Sequence, residues 1–203
     1  MKDITIILFI LFFNVLFSQN LNKKKIFYDE NSKPIGMKEF KEKTKDRNYL
    51  SGLVENDTAF IRKISFREAT GEMTPDLRLS LIKYLIKITE SKIDSTNNIV
   101  INFFYEPKVK PNGSCIDHYT SHRSYIKYFK KNKNNTQFFI TEKGYNYRKK
   151  HVFEDKEDYI RQLLFKYNFG CGNYMIIKND GSVFRILGEY RQDDIIQKIN
   201  SKW

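Results

Sequence analysis

The segment Ile99-Val100-Ile101-Asn102-Phe103-Phe104 indicates the centre of the fold, because apolar residues occupy both of its alternating faces. β-Branched and aromatic side chains dominate it, and these side chains favour the strand conformation. A strand that is apolar on both faces is typical of a sheet covered by helices on both sides. We therefore predict a buried strand here and place the other elements around it.

The elements downstream of this strand alternate between helices and strands. Asn179-Asp180-Gly181, which separates the last two predicted strands, is a strong hairpin turn. Strands separated by helices pair in parallel through crossovers, whereas the hairpin adds an antiparallel edge. We therefore expect an α/β fold with a small mixed sheet, helices on both faces and the order β-α-β-α-β-β-α. The further predicted strands are 137–141, 173–178 and 182–187, and the predicted helices are 119–131, 154–167 and 193–200.

The residues upstream predict an α+β extension that ends in one clear helix. Thr74 is a suitable helix N-cap, Pro75 suits the first turn, and Asp76 places a negative charge at the positive end of the helix dipole. Apolar residues then recur at helical spacing as far as Ile88. Before this helix, we predict strands at 25–28, 49–54 and 59–66 and a short helix at 37–46.

The chain opens with the pattern of a secretory signal peptide. Lys2 supplies a positive charge, residues 4–17 are apolar apart from Asn14, and Ser18 is a small residue at a suitable cleavage point. The apolar run is shorter than the roughly 20 residues that a membrane-spanning helix needs, and no lipoprotein cysteine follows it. We therefore expect a cleaved leader at 1–18, an extension at 19–95 and the main domain at 96–203. The product is expected in the periplasm or secreted, without a stable membrane anchor.

The chain is strongly basic, since 36 Lys and Arg residues against 24 Asp and Glu residues give a formal net charge of +12. Such a charge can attract nucleic acid, anionic lipid or acidic glycans. The positive residues are spread along the chain, and an exported protein seldom meets nucleic acid, so we favour a solvated surface and expect no nucleic-acid partner. The expected partner is an envelope protein or polymer. No phosphate-binding glycine loop, dinucleotide fingerprint or Ser-His-Asp arrangement is evident, so we expect no cofactor.

The element order from Ile99 onward is similar to the core of the thioredoxin-like fold. Residues 99–104 resemble the strand before the active site of exported thiol-disulfide oxidoreductases, and residues 173–183 resemble the hairpin strand of that family. The resemblance implies a thioredoxin-like domain over residues 96–203. In the family, the chemistry is thiol exchange at a Cys-x-x-Cys pair.

Two departures from the family bear on that chemistry. The equivalent of the redox pair is Cys115-Ile116-Asp117-His118, with histidine in place of the second cysteine, and Gly172 stands where the family has a cis-proline. The thiol exchange of the family is therefore not carried over intact. The resemblance also implies that the loop holding Cys171 faces the start of the first core helix, which would bring Cys115 and Cys171 together. An even number of cysteines in an exported protein is compatible with one disulfide.

Two hypotheses concern these cysteines. In the first, Cys115 and Cys171 form a structural disulfide in a redox-degenerate domain whose role is binding or structural. In the second, the chain is a thiol-disulfide oxidoreductase or a peroxidase-like enzyme. Cys115 would then be the nucleophile, activated by the start of the helix and by His118 or His122, and Cys171 would be the resolving thiol.

Two further hypotheses concern metal and polymer binding. Cys115, His118 and His122 fall three and four residues apart, so they share one helical face, and zinc accepts these ligand types, although no fourth ligand is evident. Tyrosines near basic residues are compatible with binding of glycans or acidic polymers, and packing against the sheet and helices is the alternative for them. These tyrosines are Tyr119, Tyr125, Tyr128, Tyr145 and Tyr147.

Overall fold

A computed structural model describes residues 23–107 and 115–203. The predicted signal peptide lies outside the described residues, and so does most of the loop between the first core strand and Cys115. Over the described ranges the protein is a mixed α/β structure with six helices, a three-stranded sheet and a six-stranded sheet. Within those ranges, none of the helices has the length and apolar content needed to cross a bilayer.

The three-stranded sheet is built from the N-terminal part of the described chain. It contains β1 (Lys24–Tyr28), β2 (Tyr49–Glu55) and β3 (Ala59–Phe66), and helix α1 (Met37–Lys43) lies beside it. The strand order is β1-β3-β2, with β1 parallel and β2 antiparallel to β3. The rings of Phe27 in β1 and Phe40 in α1 pack at a centroid distance of 4.9 Å, so α1 is fixed to the sheet by an aromatic contact.

The six-stranded sheet forms the centre of the molecule. Its strands are β4 (Glu68–Glu72), β5 (Asn98–Phe104), β6 (Asn135–Thr141), β7 (Val152–Glu154), β8 (Asn173–Ile177) and β9 (Ser182–Leu187). The order is β4-β9-β8-β5-β6-β7. β5, β6 and β7 are parallel, whereas β8, β9 and β4 pair in antiparallel fashion. The predicted strand at 99–104 is therefore central, and the predicted mixed sheet is confirmed.

Helices cover both faces of this sheet. They are α2 (Pro75–Thr89), α3 (Cys115–Ser121), α4 (Arg123–Lys131), α5 (Tyr159–Leu164) and α6 (Gln192–Ile199). α2 and α5 pack on the face that carries Ile101 and Phe103, whereas α3, α4 and α6 pack on the face that carries Val100 and Phe104. The alternation along β5 thus supplies two separate hydrophobic cores.

The predicted boundary between residues 95 and 96 falls between elements that share a core. Upstream of it, α2 contributes Leu81 and Leu85, which have no exposed surface. Downstream, β5 contributes Ile99 and Ile101 to the same cluster. β4, which is also upstream, pairs with β9. β4 and α2 therefore belong to the same packed unit as the strands that follow.

A very short passage of chain joins the two sheets, and β2 also lies close to the segment between α5 and β8. β3 ends at Phe66 and β4 begins at Glu68, so Arg67 is the only residue between them. Gly52 in β2 lies so close to Tyr167 that a Cβ atom built at this glycine would be 2.5 Å from the Tyr167 Cβ atom. The junction therefore requires a residue without a side chain at position 52.

The predicted helix at 119–131 is wrong as a single element. α3 begins earlier, at Cys115, and His122 interrupts the helical path with an extended backbone, φ −71° and ψ 95°. The Ser121 hydroxyl donates to the carbonyl oxygen of Asp117 at 2.6 Å. Such a local bond competes with continuation of the helix, so the chain turns at this point and α4 starts afresh at Arg123.

The predicted helix at 154–167 is also wrong in its extent, because α5 covers only Tyr159–Leu164. The preceding residues form β7, which pairs with β6. Asp155 is fully buried, and its carboxylate accepts the backbone N–H groups of Tyr159 at 3.0 Å and Arg161 at 2.8 Å. This side chain occupies the first free N–H groups of the helix, so it fixes where α5 begins.

Candidate functional site at a disulfide between two cavities

Cys115 and Cys171 are joined by a disulfide. Their Cα atoms are 5.7 Å apart and their sequence separation is 56. Cys115 is the first residue of α3, and Cys171 lies in the loop that leads into β8. Both residues are half-buried. The bond therefore ties two loops together at the carboxyl end of β5, near the surface of the protein.

A cavity of about 470 Å³ opens beside the disulfide. Its position at the ends of β5 and β6 follows from lining residues that come directly after those strands, Tyr105 and Glu142. Phe104 and Ile116 supply apolar walls, and Leu53 adds a wall from the three-stranded sheet. The volume is typical of sites for small molecules, about 300 to 1,000 Å³.

The charged wall of this cavity contains one carboxyl group with an altered proton affinity. Burial raises the pKa of Glu142 above its usual range, and its Oε1 atom accepts the backbone N–H of Glu106 at 2.6 Å. Arg161, on the same wall, is paired with both carboxylate oxygens of Asp158, which lowers the pKa of Asp158. The guanidinium charge is therefore neutralised within the protein, and Glu142 is the more available polar group.

A second cavity, of about 590 Å³, lies on the other side of the disulfide. Cys115 and Cys171 line it together with His118, Arg67 and Glu189. Both signs of charge are present in this wall. The disulfide is thus a partition between two cavities, and both of them give access to the two sulfur-bearing residues.

Two stacked tyrosines pack against the segment that contains Cys171 and Gly172. The rings of Tyr119 and Tyr190 stack at a centroid distance of 4.4 Å. The Tyr119 hydroxyl donates to the Tyr190 carbonyl oxygen and accepts from the Tyr190 N–H, both at 3.0 Å. Gly172 has φ +85°, and a Cβ atom there would lie 3.1 Å from the Tyr119 ring and 3.2 Å from that of Tyr190. Glycine suits this position because its backbone adopts a positive φ and because a side chain would crowd the two tyrosine rings.

Asn102 connects this tyrosine pair to the central strand. It is fully buried in β5, where its Oδ1 atom accepts the Tyr190 hydroxyl at 2.8 Å. Its Nδ2 atom donates to the Tyr125 hydroxyl at 3.0 Å and to the Phe138 carbonyl oxygen at 3.1 Å. A buried polar side chain normally requires such partners. The site therefore rests on a hydrogen-bonded frame that reaches the middle of the sheet.

The proposed zinc ligands are not assembled in this structure. The Cys115 sulfur is in the disulfide, and the rings of His118 and His122 lie 6.5 Å apart between centroids. Across the ranges 23–107 and 115–203, no group of three or more His, Cys, Asp or Glu side chains is placed to hold a metal ion.

The tyrosines proposed for polymer binding are divided between the core and the surface. Tyr125 has no exposed surface and Tyr119 is buried, so both pack against the sheet, as the alternative interpretation has it. Tyr145 and Tyr147 are half-buried and contact each other at 5.9 Å between ring centroids.

Sequence reasoning missed Glu142, Arg161 and Asn102. Only Asn102 leaves a signal in the sequence, as the polar residue of an otherwise apolar strand. Glu142 and Arg161 stand in unremarkable charged stretches and meet only in the folded chain. Comparison with known protein families, curated proteins and solved structures found no match to this chain.

Proposed function

We propose that the main domain is thioredoxin-like and that its disulfide is a structural clamp at a binding site. The strand order β9-β8-β5-β6 supports this proposal, with β5 and β6 parallel and the other neighbours antiparallel. α3, α4 and α6 on one face and α5 on the other also agree with that core. His118 stands in the place of the second redox cysteine, and Gly172 replaces the cis-proline.

The proposed location is the bacterial envelope, after cleavage of the leader near Ser18. The charged start, the apolar run and the small residue of the leader support it. A disulfide between the only two cysteines agrees with it, since such bonds persist in oxidising compartments.

The observation that carries the binding role is the position of the disulfide between two cavities. It holds the start of α3 against the loop before β8, and these two segments form walls of both cavities. Closing a loop of this length restricts the unfolded chain, which stabilises the folded arrangement by roughly 3 to 4 kcal/mol. The clamp therefore keeps the cavities in one shape without taking part in chemistry. The partner proposed for this site is an envelope protein or polymer.

A redox titration of the exported chain tests the clamp. Intact mass before and after alkylation reports whether the thiols are free, and a glutathione series reports the potential at which the bond opens. A structural disulfide is expected to open only below about −300 mV. Hydrogen exchange over residues 115–118 and 170–173 should accelerate after reduction, because these two wall segments are no longer joined. Free thiols in the exported protein would contradict the proposal.

Thiol–disulfide exchange is the second candidate, favoured by the half-exposed state of both cysteines at the cavity walls. In the reduced protein, the Cys115 thiolate would attack a substrate disulfide and release one substrate thiolate. The Cys171 thiolate would then attack the Cys115 sulfur, release the second substrate thiolate and close the Cys115–Cys171 bond. Insulin reduction driven by a small dithiol, present in wild type and absent in Cys115→Ser, would establish this activity over the clamp.

A further inference from the structure

The outer face of the three-stranded sheet carries a groove of about 750 Å³, whose lining contains neither cysteine and shares only Leu53 with the first disulfide cavity. The register places Phe27, Phe60 and Leu53 on the same face of the sheet, and all three line the groove. Met37 in α1 forms part of the opposite wall and is 46% exposed. A seven-residue helix is too short to cover this face, so an apolar floor remains open.

Three cations surround this apolar floor. Lys25, Lys41 and Arg62 line the groove, and its described lining contains no carboxylate. Within residues 23–107 and 115–203, Lys25 and Lys41 form no ion pair, and the hydrogen-bond partner of Arg62 is the Ser51 hydroxyl at 3.4 Å. Like charges held around one cavity repel each other, and an anion placed between them would relieve the repulsion.

A neighbouring lysine shows how a cation on this sheet is otherwise accommodated. Lys23 forms an ion pair with Glu55 at 2.8 Å, and its Nζ atom lies 5.4 Å from the centroid of the Phe60 ring. Lys23 is therefore balanced by a carboxylate within the protein. The three groove cations are exposed and form no ion pair within the described chain, so an anion could bind between them without displacing a carboxylate of the protein.

We propose that this groove binds a long-chain carboxylate as a single molecule. The apolar chain lies on Phe27, Phe60 and Leu53, and the carboxylate is held between Lys25, Lys41 and Arg62. This combination of an apolar floor with a few convergent polar groups is the usual composition of a small-molecule site. Neither cysteine lines the site, which goes beyond the clamp proposed above.

Titration calorimetry of the exported chain with dodecanoate, below its micellar concentration, tests the proposal. Binding of one equivalent is expected. Octanoate should bind on the order of a hundredfold more weakly, because it buries four fewer methylene groups. Neutral dodecyl maltoside should bind at least tenfold more weakly than dodecanoate, because it gains nothing from the three cations. Equal binding of the neutral and charged amphiphiles would overturn the proposal.

Charge-reversal variants locate the site. Lys25→Glu and Lys41→Glu alter exposed residues, so both variants should fold, and each is expected to weaken dodecanoate binding by tenfold or more. Lys150→Glu makes the same charge change at an exposed position away from the groove and should bind as wild type does. An equal loss in the Lys150 variant would show that only net charge matters and would contradict the groove.

Two controls distinguish the groove from a membrane surface and from the disulfide site. Sedimentation with phosphatidylglycerol vesicles tests a membrane surface as the source of the anion; binding to vesicles without binding to monomeric dodecanoate would overturn the proposal. The double variant Cys115→Ala, Cys171→Ala should still bind dodecanoate. Because this variant lacks the disulfide but keeps the groove residues, its dodecanoate binding tests the groove proposal separately from the clamp proposal.

Discussion

The two sheets of this protein differ in how they are covered. In the six-stranded sheet, helices lie on both faces, and β5 is buried from Ile99 to Phe104. In the three-stranded sheet, β1 has no buried residue and β3 buries only Ala59 and Ile64. The first sheet therefore has the packing of a stable core, whereas the second has an open face. The strand without charged residues thus lies in the core, whereas the strands that carry Lys and Arg form the accessible sheet.

The largest expected difference between the sheets is in core packing. Phe103→Ala removes a ring with no exposed surface and should lower the free energy of unfolding by about 3 to 5 kcal/mol. Phe60→Ala, in the partly exposed sheet, should lower it by no more than about 1 kcal/mol. Urea unfolding of both variants measures the difference. Equal losses would mean that the two sheets contribute equally to one core and would contradict this contrast.

Removal of the disulfide should affect the six-stranded sheet. Cys115→Ala with Cys171→Ala is expected to lower the free energy of unfolding by roughly 3 to 4 kcal/mol, because the unfolded chain regains the freedom of a long loop. Native-state hydrogen exchange should show faster opening around residues 170–173 and unchanged protection in β3. Wild-type protein with its thiols reduced is the matched control and should behave as the double variant does.

The contact between β2 and the segment that precedes β8 is testable at one glycine. Gly52→Ala forces a Cβ atom to within 2.5 Å of Tyr167 Cβ, so β2 must move away, and overpacking of this kind costs about 1 to 3 kcal/mol. Gly71→Ala in β4 is the control, because nothing lies within 4 Å of its added Cβ atom. Thermal unfolding of the pair should show a lower melting temperature for the Gly52 variant alone. An unchanged melting temperature in Gly52→Ala would mean that β2 and the segment containing Tyr167 can move apart at little cost.

The smallest expected difference concerns two tyrosine hydroxyls, one beside each sheet. Tyr84→Phe removes a hydroxyl that donates to the buried Asp155 carboxylate at 2.6 Å, and it should cost about 1 to 2 kcal/mol. Tyr49→Phe removes a hydroxyl that forms no hydrogen bond within the described chain and should be neutral. Chemical unfolding at neutral pH measures the free energy of unfolding of both variants against that of the wild type. A neutral Tyr84 variant would indicate that another donor, such as the Glu157 N–H, takes over.

The sequence alone was sufficient where local signals agree with the fold. Thr74 caps α2 as expected, with its Oγ1 atom accepting the Leu77 N–H at 3.4 Å. Gly181 adopts φ +92° in the predicted hairpin turn. The strand at 99–104 was predictable because apolar residues occupy both of its faces, which indicates burial on both sides. Each of these signals lies within a few neighbouring residues.

Prediction failed where a partner distant in sequence decides the conformation. Glu68-Ala69-Thr70-Gly71-Glu72 has no strand-like pattern and is largely exposed, yet it forms β4 because it pairs with β9. The start of α5 depends on Asp155, whose capping role is visible only when its burial is known.

The candidate site was predictable only in part, for the same reason. Resemblance to a family was needed to suggest that Cys115 and Cys171 meet, since 56 positions separate them. The cavity beside them could not be foreseen, because Glu142 and Arg161 come from unrelated segments. Neither residue belongs to a recognisable motif, so no local sequence pattern predicts that they line the same cavity.

The single residue between β3 and β4 limits how this architecture can change over time. Arg67 is held at both ends, since its N–H donates to the Asn48 carbonyl oxygen at 2.8 Å and its own carbonyl accepts the Leu187 N–H at 2.9 Å. The connection therefore has no free residue at which an insertion or deletion could be accommodated without moving one of the two sheets. A change in the length of this connection would therefore break the hydrogen bonds of Arg67 and shift β3 relative to β4.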